Sequence, residues 1–224
     1  MSPDFDRDYW ERRWKQSTGE AAAGVDGTPP NPNPYLMQES SGLVPGTALD
    51  AGCGAGAEAI WLAGQGWQVT AADISADALA RAARRAEASG VGEPVTWIEA
   101  DLTVWDPGRQ FDLVTTHYAH PATAQLAFYD RIAGWVAPGG CLLIVAHRHA
   151  DSTTPEHHGH HEQQGHRGQH PPAEASVTLA EVIAGVDLST WTINTAEEHV
   201  RTLAGPPGQA ASLHDVVLRA TRRP

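Results

Sequence analysis

From residue 47 to about residue 145, short apolar runs alternate with segments in which apolar residues recur at helical spacing. Runs such as Thr47–Ala51 and Phe111–Thr116 have the length of buried strands. Leu79–Ser89 and Thr123–Val136 are typical of helices that end before glycine or proline. Strands that are apolar on both faces need helices on both sides of the sheet. The pattern therefore predicts an α/β fold with a doubly wound, mostly parallel sheet.

The last part of the chain continues this alternation. Leu179–Val186 predicts a helix, and Thr190–Thr195 and Leu213–Arg219 predict two further strands. We expect seven strands in all, with the final pair at one side of the sheet supplying an antiparallel edge strand. This divides the chain into residues 1–46, which hold a helical flap and a loop, and residues 47–224, which form the main domain.

The N-terminal segment has a different character. Residues 4–16 carry Trp10 and Trp14 among charged residues, which predicts a short helix with one aromatic side. Such a helix packs on the domain as a hydrophobic flap, and it can also close over a ligand. Ser17–Pro34 is rich in glycine, alanine and proline and predicts a loop, and Tyr35–Leu43 predicts a second helix.

Composition and charge exclude several classes of partner. The 224-residue chain has a formal net charge of −12, and its basic residues are scattered rather than gathered in a stripe. A nucleic-acid partner is therefore disfavoured and a small-molecule substrate favoured. No apolar run approaches the roughly 18 residues of a membrane span, and the acidic N-terminus does not resemble a secretory signal. Cys53 and Cys141 offer no disulfide framework, so we expect a cytoplasmic protein.

Three glycines at alternate positions follow the first predicted strand. Gly52, Gly54 and Gly56 come directly after Asp50 and before a predicted helix. Glycines are needed where the backbone turns sharply and approaches a ligand, and the helix start offers unpaired N–H groups. Asp73 lies about twenty residues further on, where such folds place an acid on a ribose. The segment predicts a nucleoside-binding βαβ unit, although its glycines also fit a dinucleotide fingerprint.

This turn and three further motifs resemble the class I S-adenosylmethionine-dependent methyltransferases. Asp50–Gly56 fits that family's first motif, D/E-x-G-x-G-x-G, and Val95–Leu102 resembles the strand and Asp-Leu pair that the family places beside the adenine. Phe111–Thr116 resembles the family's central strand, and Ala137–Val145 its next turn and strand. The resemblance implies a Rossmann-like fold and a methyltransferase enzyme domain over residues 47–224.

The resemblance also implies which residues hold the methyl donor, S-adenosylmethionine. They come from the aromatic segment, the glycine turn and the ends of later strands: Trp14, Asp50, Gly52, Gly54, Asp73, Ile74, Asp101, Leu102 and Thr116. A carboxylate at position 50 would repel a pyrophosphate, but it suits a ligand with an ammonium and a sulfonium. An NAD-dependent oxidoreductase, the other interpretation of the glycine pattern, is therefore disfavoured.

A narrower resemblance concerns the acceptor. Tyr9-Trp10-x-x-x-Trp14, Asn33–Leu36, Ala59–Ala63 and Tyr118-x-His120 look like the tellurite-resistance and thiopurine-like branch of small-molecule methyltransferases. This resemblance implies a small thiol, a metalloid or chalcogen compound, or a similar nucleophile as the acceptor. Fold similarity alone does not establish a substrate.

The loop after the fourth predicted strand holds the candidate catalytic residues, His117, Tyr118 and His120. Methyl transfer from a sulfonium is an in-line displacement, so the protein mainly aligns the nucleophile and excludes water. In one interpretation these side chains orient the acceptor, or one imidazole takes its proton near neutral pH. In the other, a histidine satisfies a buried backbone group and Tyr118 packs under the cofactor.

The stretch from residue 147 to residue 172 holds eight of the twelve histidines and almost no apolar residue. It predicts a flexible insertion at the carboxyl edge of the sheet. The pairs His157/His158 and His160/His161 are candidate ligands for a divalent transition metal. Three interpretations stay open: an incidental insertion, a metal site, and a lid that responds to pH. The alternative function is accordingly metal binding on a catalytically silent methyltransferase fold.

Overall fold

The computed structural model describes residues 4–16, 31–91, 94–148, 176–203 and 211–224. Its helices are α1 (Arg7–Gln16), α2 (Pro34–Ser40), α3 (Ala57–Gly64), α4 (Ala76–Ala88), α5 (Gln125–Ala133) and α6 (Leu179–Ala184). Its strands are β1 (Thr47–Ala51), β2 (Gln68–Asp73), β3 (Val95–Glu99), β4 (Phe111–His117), β5 (Val136–Arg148), β6 (Ser176–Val177), β7 (Trp191–Leu203) and β8 (Ala211–Arg222).

The strands form one sheet in the order β3-β2-β1-β4-β5-β8-β7, and the two-residue β6 pairs with β5. Strands β1 to β5 pair in parallel, whereas β8 runs antiparallel to both of its neighbours. The prediction of a doubly wound, mostly parallel sheet is confirmed, with antiparallel β8 one place in from the edge strand β7. The strand order reverses between β1 and β4, and this switch point opens a crevice at the carboxyl ends of the strands.

Strand β5 shows why the sheet needs cover on both faces. Leu142 and Ile144 belong to the apolar core under α5 and α6, whereas Leu143 and Val145 belong to the core on the opposite face. All four side chains are buried. Because successive residues of a strand point to opposite faces, a continuous apolar run supplies both cores at once.

Several elements differ in length from the sequence-based expectation, and α2 and β7 show the local reason. The helix predicted over Tyr35–Leu43 is α2, which starts at Pro34 behind the Asn33 cap and ends at Ser40, whose hydroxyl donates to the Leu36 carbonyl at 2.6 Å. Strand β7 continues beyond the predicted Thr190–Thr195 because it pairs with β8 along its whole length. Its charged second half lacks the apolar alternation that marks a strand.

Most of the loop predicted over Ser17–Pro34 lies outside the described residues, which resume at residue 31. Most of the insertion predicted over residues 147–172 also lies outside them, because the described residues break off after residue 148. His147 and Arg148 are the last residues of β5. Within the described ranges, no helix is long and apolar enough to cross a bilayer.

Candidate functional site

The glycine turn packs directly against the loop that follows β4. Gly52 has a φ of 81°, and a Cβ added there would lie 2.5 Å from the Cβ of Ala119. The Gly52 and Cys53 N–H groups both donate to the Ala72 carbonyl, at 2.8 and 3.1 Å. The left-handed backbone and the close approach together require glycine at this position.

Asp73 ends β2 and ties the glycine turn to α4. Its Oδ2 accepts a hydrogen bond from the Gly54 N–H at 2.8 Å, and its Oδ1 accepts one from the Ser75 N–H at 2.9 Å. Burial raises the pKa of Asp73, and the N–H bonds act in the opposite direction. Because a carboxylate has about four acceptor positions, Asp73 retains capacity for hydroxyl donors of a ligand.

Asp50 lies beneath the turn rather than on the wall of the crevice. Its side chain is 1% exposed, and its Oδ2 is buried with no partner among the described residues. Burial, together with the charges of Glu58 and Asp73, raises the pKa of Asp50 well above its usual value. The carboxylates that border the crevice are instead Asp73 and Asp101.

The crevice contains a pocket of about 190 Å³ beside the glycine turn. Gly54, Asp73 and Asp101 line it from the ends of β1, β2 and β3, and the residues after β4, the next strand in the sheet, complete it. The full set of lining residues is Phe5, Trp10, Trp14, Gly52, Gly54, Asp73, Ile74, Ala100, Asp101, Leu102, His117, Tyr118, Ala119, His120, Pro121, Ala122 and Phe128. Most of this wall is apolar or aromatic, as in many small-molecule sites.

Helix α1 lies across the pocket and is held there by polar contacts. The Trp10 indole N–H donates to the His120 carbonyl at 3.2 Å, and Arg81 donates to the Trp14 carbonyl at 2.6 Å. The Trp14 ring passes over the glycine turn, 3.2 Å from where a Cβ of Gly54 would be. Phe5 is buried and packs at 5.7 Å from the His120 ring. The N-terminal aromatic residues thus form one wall of the pocket.

The candidate catalytic residues line the same pocket. Tyr118 has a φ of 53°, and its ring stacks on that of His147 at 4.4 Å. Burial lowers the pKa of His117 to about 3 and, with the charge of His147, that of His120 to about 4. Both imidazoles are therefore neutral at physiological pH. They suit an orienting role better than proton uptake near pH 7.

Two of the predicted donor-binding residues are not among the pocket residues. Asp50 lies under the turn as described, and the buried Thr116 donates from its hydroxyl to the Ala51 carbonyl at 2.8 Å, joining β4 to β1. Both side chains are buried, at 1% exposure each, and neither lines the pocket. The four candidate metal ligands, His157, His158, His160 and His161, lie outside the described residues. The part of the chain that is described holds no group of three or more His, Cys, Asp or Glu side chains suited to a metal ion.

Comparison with known proteins identifies the domain that builds this pocket. Residues 48–140 match the family described as a methyltransferase domain. Residues 48–140 therefore form a methyltransferase domain. An uncharacterized methyltransferase of Mycobacterium tuberculosis (strain ATCC 25618 / H37Rv) is 37% identical over 99 residues, which are 43% of this chain and 48% of that protein. The chain thus spans about half the length of this protein and of two similar Mycobacterium methyltransferases.

Two further proteins are similar over larger parts of the chain. Probable thiol methyltransferase 2 of Arabidopsis thaliana is 26% identical over 139 residues, which are 61% of this chain and 60% of that protein. Magnesium protoporphyrin IX methyltransferase of Synechocystis PCC 6803, solved with S-adenosylmethionine bound, superimposes with a TM-score of 0.62 at 15% identity and covers 99% of this chain and 98% of that one. The latter likeness shows that the fold is shared.

The structure adds pocket residues that sequence reasoning missed. Trp10, four residues before Trp14 on α1, was expected on the aromatic side of this helix but was not among the predicted donor-binding residues. Phe128 lies on α5 with 1% exposure, and nothing in its helical spacing separates it from an ordinary core residue. Ala119 and Ala122 carry no chemical signal; only the packing of their loop against the glycine turn brings them to the pocket.

The desolvation of His117, a half-buried and neutral side chain at the pocket, predicts stability that is sensitive to acid. The unfolded chain takes up a proton on this imidazole near pH 6.5, whereas the folded chain does so only near pH 3. The contribution to the free energy of unfolding is therefore fully present above about pH 6.5 and is lost as the pH falls through this window. Between pH 8 and pH 5, wild type should lose about 2 kcal/mol more than H117N. Urea unfolding at both pH values measures the difference.

The control for this comparison is H214N, because His214 is exposed on β8. Its loss of stability between pH 8 and pH 5 should match that of the wild type. Equal pH slopes for wild type and H117N would contradict a desolvated, neutral imidazole at position 117.

Proposed function

We propose that this protein transfers a methyl group from S-adenosylmethionine to a small-molecule acceptor. The proposal rests above all on one pocket at the carboxyl edge of the sheet. This pocket is lined by the glycine turn, Asp73 and Asp101. It is also lined by residues 117–120, which include the aromatic side chains of His117, Tyr118 and His120. A donor bound by the first set of residues would present its reactive group to an acceptor held by the second.

The described residues fit this donor. Gly54 has no side chain, so a ligand in the pocket can approach its backbone closely. Asp73 and Asp101 offer carboxylate oxygens to the ribose hydroxyl groups of the donor. When bound, S-adenosylmethionine supplies a methyl group already activated by its sulfonium. The chain's own residues bind the donor and the acceptor, orient them and exclude water. Phe5 and Trp10 line the pocket with aromatic rings, and His117 lines it as a neutral side chain that can orient the acceptor.

The acceptor that best suits the aromatic lining of the pocket is a small thiol or a related soft nucleophile. An anionic sulfur needs no general base, and the lowered pKa values of His117 and His120 make either imidazole a weak base. Sulfur also makes favourable contacts with aromatic rings, which this pocket has in Phe5, Trp10 and Tyr118. The relative in Arabidopsis thaliana named as a probable thiol methyltransferase supports the same class.

The donor half of the proposal predicts that S-adenosylhomocysteine raises the melting temperature. At about 100 times its dissociation constant, a ligand that binds only the folded state stabilises it by about 2.7 kcal/mol. Differential scanning fluorimetry with increasing ligand measures the shift, with NAD as the matched nucleoside control. No shift at millimolar S-adenosylhomocysteine, or a larger one with NAD, would overturn the proposal.

The acceptor half predicts preference for sulfur over oxygen. With S-adenosylmethionine present, 2-mercaptoethanol should release S-adenosylhomocysteine at least about 100-fold faster than ethylene glycol at pH 8, because only the thiol is partly ionised there. Product release is followed by a coupled homocysteine assay. Comparable rates for the two acceptors would overturn the thiol assignment while leaving methyl transfer in place.

A further inference from the structure

Tyr118 connects the pocket to a buried polar cluster that no local motif marks. We define the Arg201 cluster as Tyr35, Tyr118, Arg201 and Asp215. The Arg201 Nη2 donates to the Tyr118 hydroxyl oxygen at 2.7 Å, and its Nε donates to the Asp215 Oδ2 at 2.6 Å. The Tyr35 hydroxyl donates to the same Asp215 oxygen at 3.3 Å. One guanidinium therefore joins a pocket residue to a carboxylate in the sheet.

The strand register builds this cluster. His147 on β5 lies opposite Asp215 on β8, and Asp215 lies opposite His199 on β7. Residues in register share a face of the sheet, and Arg201 returns to that face two positions after His199. The strand pairing thus places the cation beside the carboxylate and under the loop after β4.

Asp215 depends on this arrangement because it has no access to water. Its side chain is 0% exposed, and its Oδ1 has no hydrogen-bond partner among the described residues. A buried charge left without a partner is strongly unfavourable. The ion pair with Asp215 therefore fixes Arg201. Its planar guanidinium donates to Asp215 and to Tyr118 at the same time, which the ammonium of lysine cannot do in this geometry.

Tyr118 needs to be held in place. Its φ of 53° lies in the left-handed region, which is unfavourable for a residue with a bulky side chain. Such conformations persist where the surroundings over-determine them, and they cluster at functional sites. The Tyr118 N–H donates to the Val145 carbonyl at 2.9 Å, which fixes its backbone. The bond from Arg201 fixes the other end of the side chain.

We propose that Arg201 and Asp215 are positioning residues that hold the Tyr118 side chain in the acceptor wall of the pocket. The inference rests on the proposed function for its catalytic meaning, since an acceptor packs against Tyr118 only if methyl transfer occurs there. The placement of Tyr118 itself is testable without any acceptor. Strands β7 and β8, which lie outside the segment that matches the methyltransferase domain, thus shape the acceptor side of the pocket.

The chain offers a matched control in a second arginine–carboxylate pair. Arg219 on β8 lies 3.7 Å from Glu39 of α2, with side chains 25% and 7% exposed, against 30% and 0% for Arg201 and Asp215. Both pairs tie β8 to neighbouring elements, but only Arg201 contacts Tyr118. A general loss of stability should appear in both R201Q and R219Q, whereas loss of positioning should appear in R201Q alone.

The experiment uses protein labelled with 3-fluorotyrosine, whose four tyrosines give four fluorine resonances. The Y118F variant assigns the resonance of Tyr118. In R201Q this resonance should shift and broaden, while those of Tyr9 and Tyr129 stay in place, and R219Q should leave the Tyr118 resonance unchanged. If R201Q does not fold, R201K, which keeps the charge beside Asp215, should displace the same resonance.

Binding and turnover complete the test. R201Q should bind S-adenosylhomocysteine within about twofold of wild type, and its KM for 2-mercaptoethanol should rise about tenfold, as expected for one lost hydrogen bond. R219Q should keep the wild-type KM. An unchanged Tyr118 resonance in R201Q, or an equal change in R219Q, would overturn the positioning role. Failure of wild type to bind S-adenosylhomocysteine would overturn the proposed function instead.

Discussion

Replacing Gly52 with alanine is expected to weaken S-adenosylhomocysteine binding by at least about 100-fold, which corresponds to about 3 kcal/mol. The new Cβ would lie 2.5 Å from the Cβ of Ala119, so the loop that carries Tyr118 and His120 must move away from the turn. The φ of 81° adds about 1–2 kcal/mol of backbone strain. Isothermal titration calorimetry measures the affinity, and urea unfolding measures the stability.

Gly139 provides a matched control for this substitution. Its φ of 80° nearly equals that of Gly52, but a Cβ there would meet no atom within 4 Å. G139A should therefore show the backbone strain alone, with reduced stability and unchanged affinity. If G52A and G139A bind S-adenosylhomocysteine equally well, close packing of the turn against Ala119 does not govern the donor site.

The second large effect is expected from Asp73→Asn, which should weaken S-adenosylhomocysteine binding by about 10- to 100-fold. The carboxylate accepts from the N–H groups of Gly54 and Ser75 with its two oxygens. An asparagine has one oxygen, so its NH₂ group must face one of these donors. Hydrogen bonds to a charged group contribute about 1.5–3 kcal/mol, and one would be lost together with an acceptor for the ligand.

The control for Asp73 is Asp106→Asn. Asp106 also accepts a backbone N–H bond, from Gly108 at 2.9 Å, but it is an exposed turn residue away from the pocket. D106N should leave the affinity measured by calorimetry unchanged. Wild-type affinity in D73N would show that this carboxylate does not contact the donor.

The proposed donor-binding side of the pocket could be predicted largely from local motifs. Gly52, Gly54 and Asp73 lie at the carboxyl ends of neighbouring parallel strands, and that edge position follows from the βαβ pattern alone. The same reasoning predicted Asp101 and His117 at the pocket, because Asp101 follows β3 and His117 is the last residue of β4. Their role in binding or catalysis stays a prediction until a ligand or a reaction is measured.

The charge at Asp50 shows the limit of such reasoning. The sequence places a carboxylate two residues before the first glycine, which suggested a negative group facing the ligand. In the fold this side chain is turned beneath the backbone, where burial raises its pKa. Spacing along a strand fixes position at the sheet edge, but whether a side chain faces ligand or core depends on what packs against it.

The sequence by itself determined the doubly wound sheet, the glycine turn and the strand ends that meet around the pocket, because periodicity and backbone turns are properties of neighbouring residues. Tertiary structure alone decided that β8 lies between β5 and the edge strand β7, and that Phe128 lines the pocket. It also decided that Arg201 donates a hydrogen bond to Tyr118, 83 residues away in the chain. Contacts between residues so far apart leave no periodic signal in one sequence. They arise only when strand pairing and packing bring the side chains together.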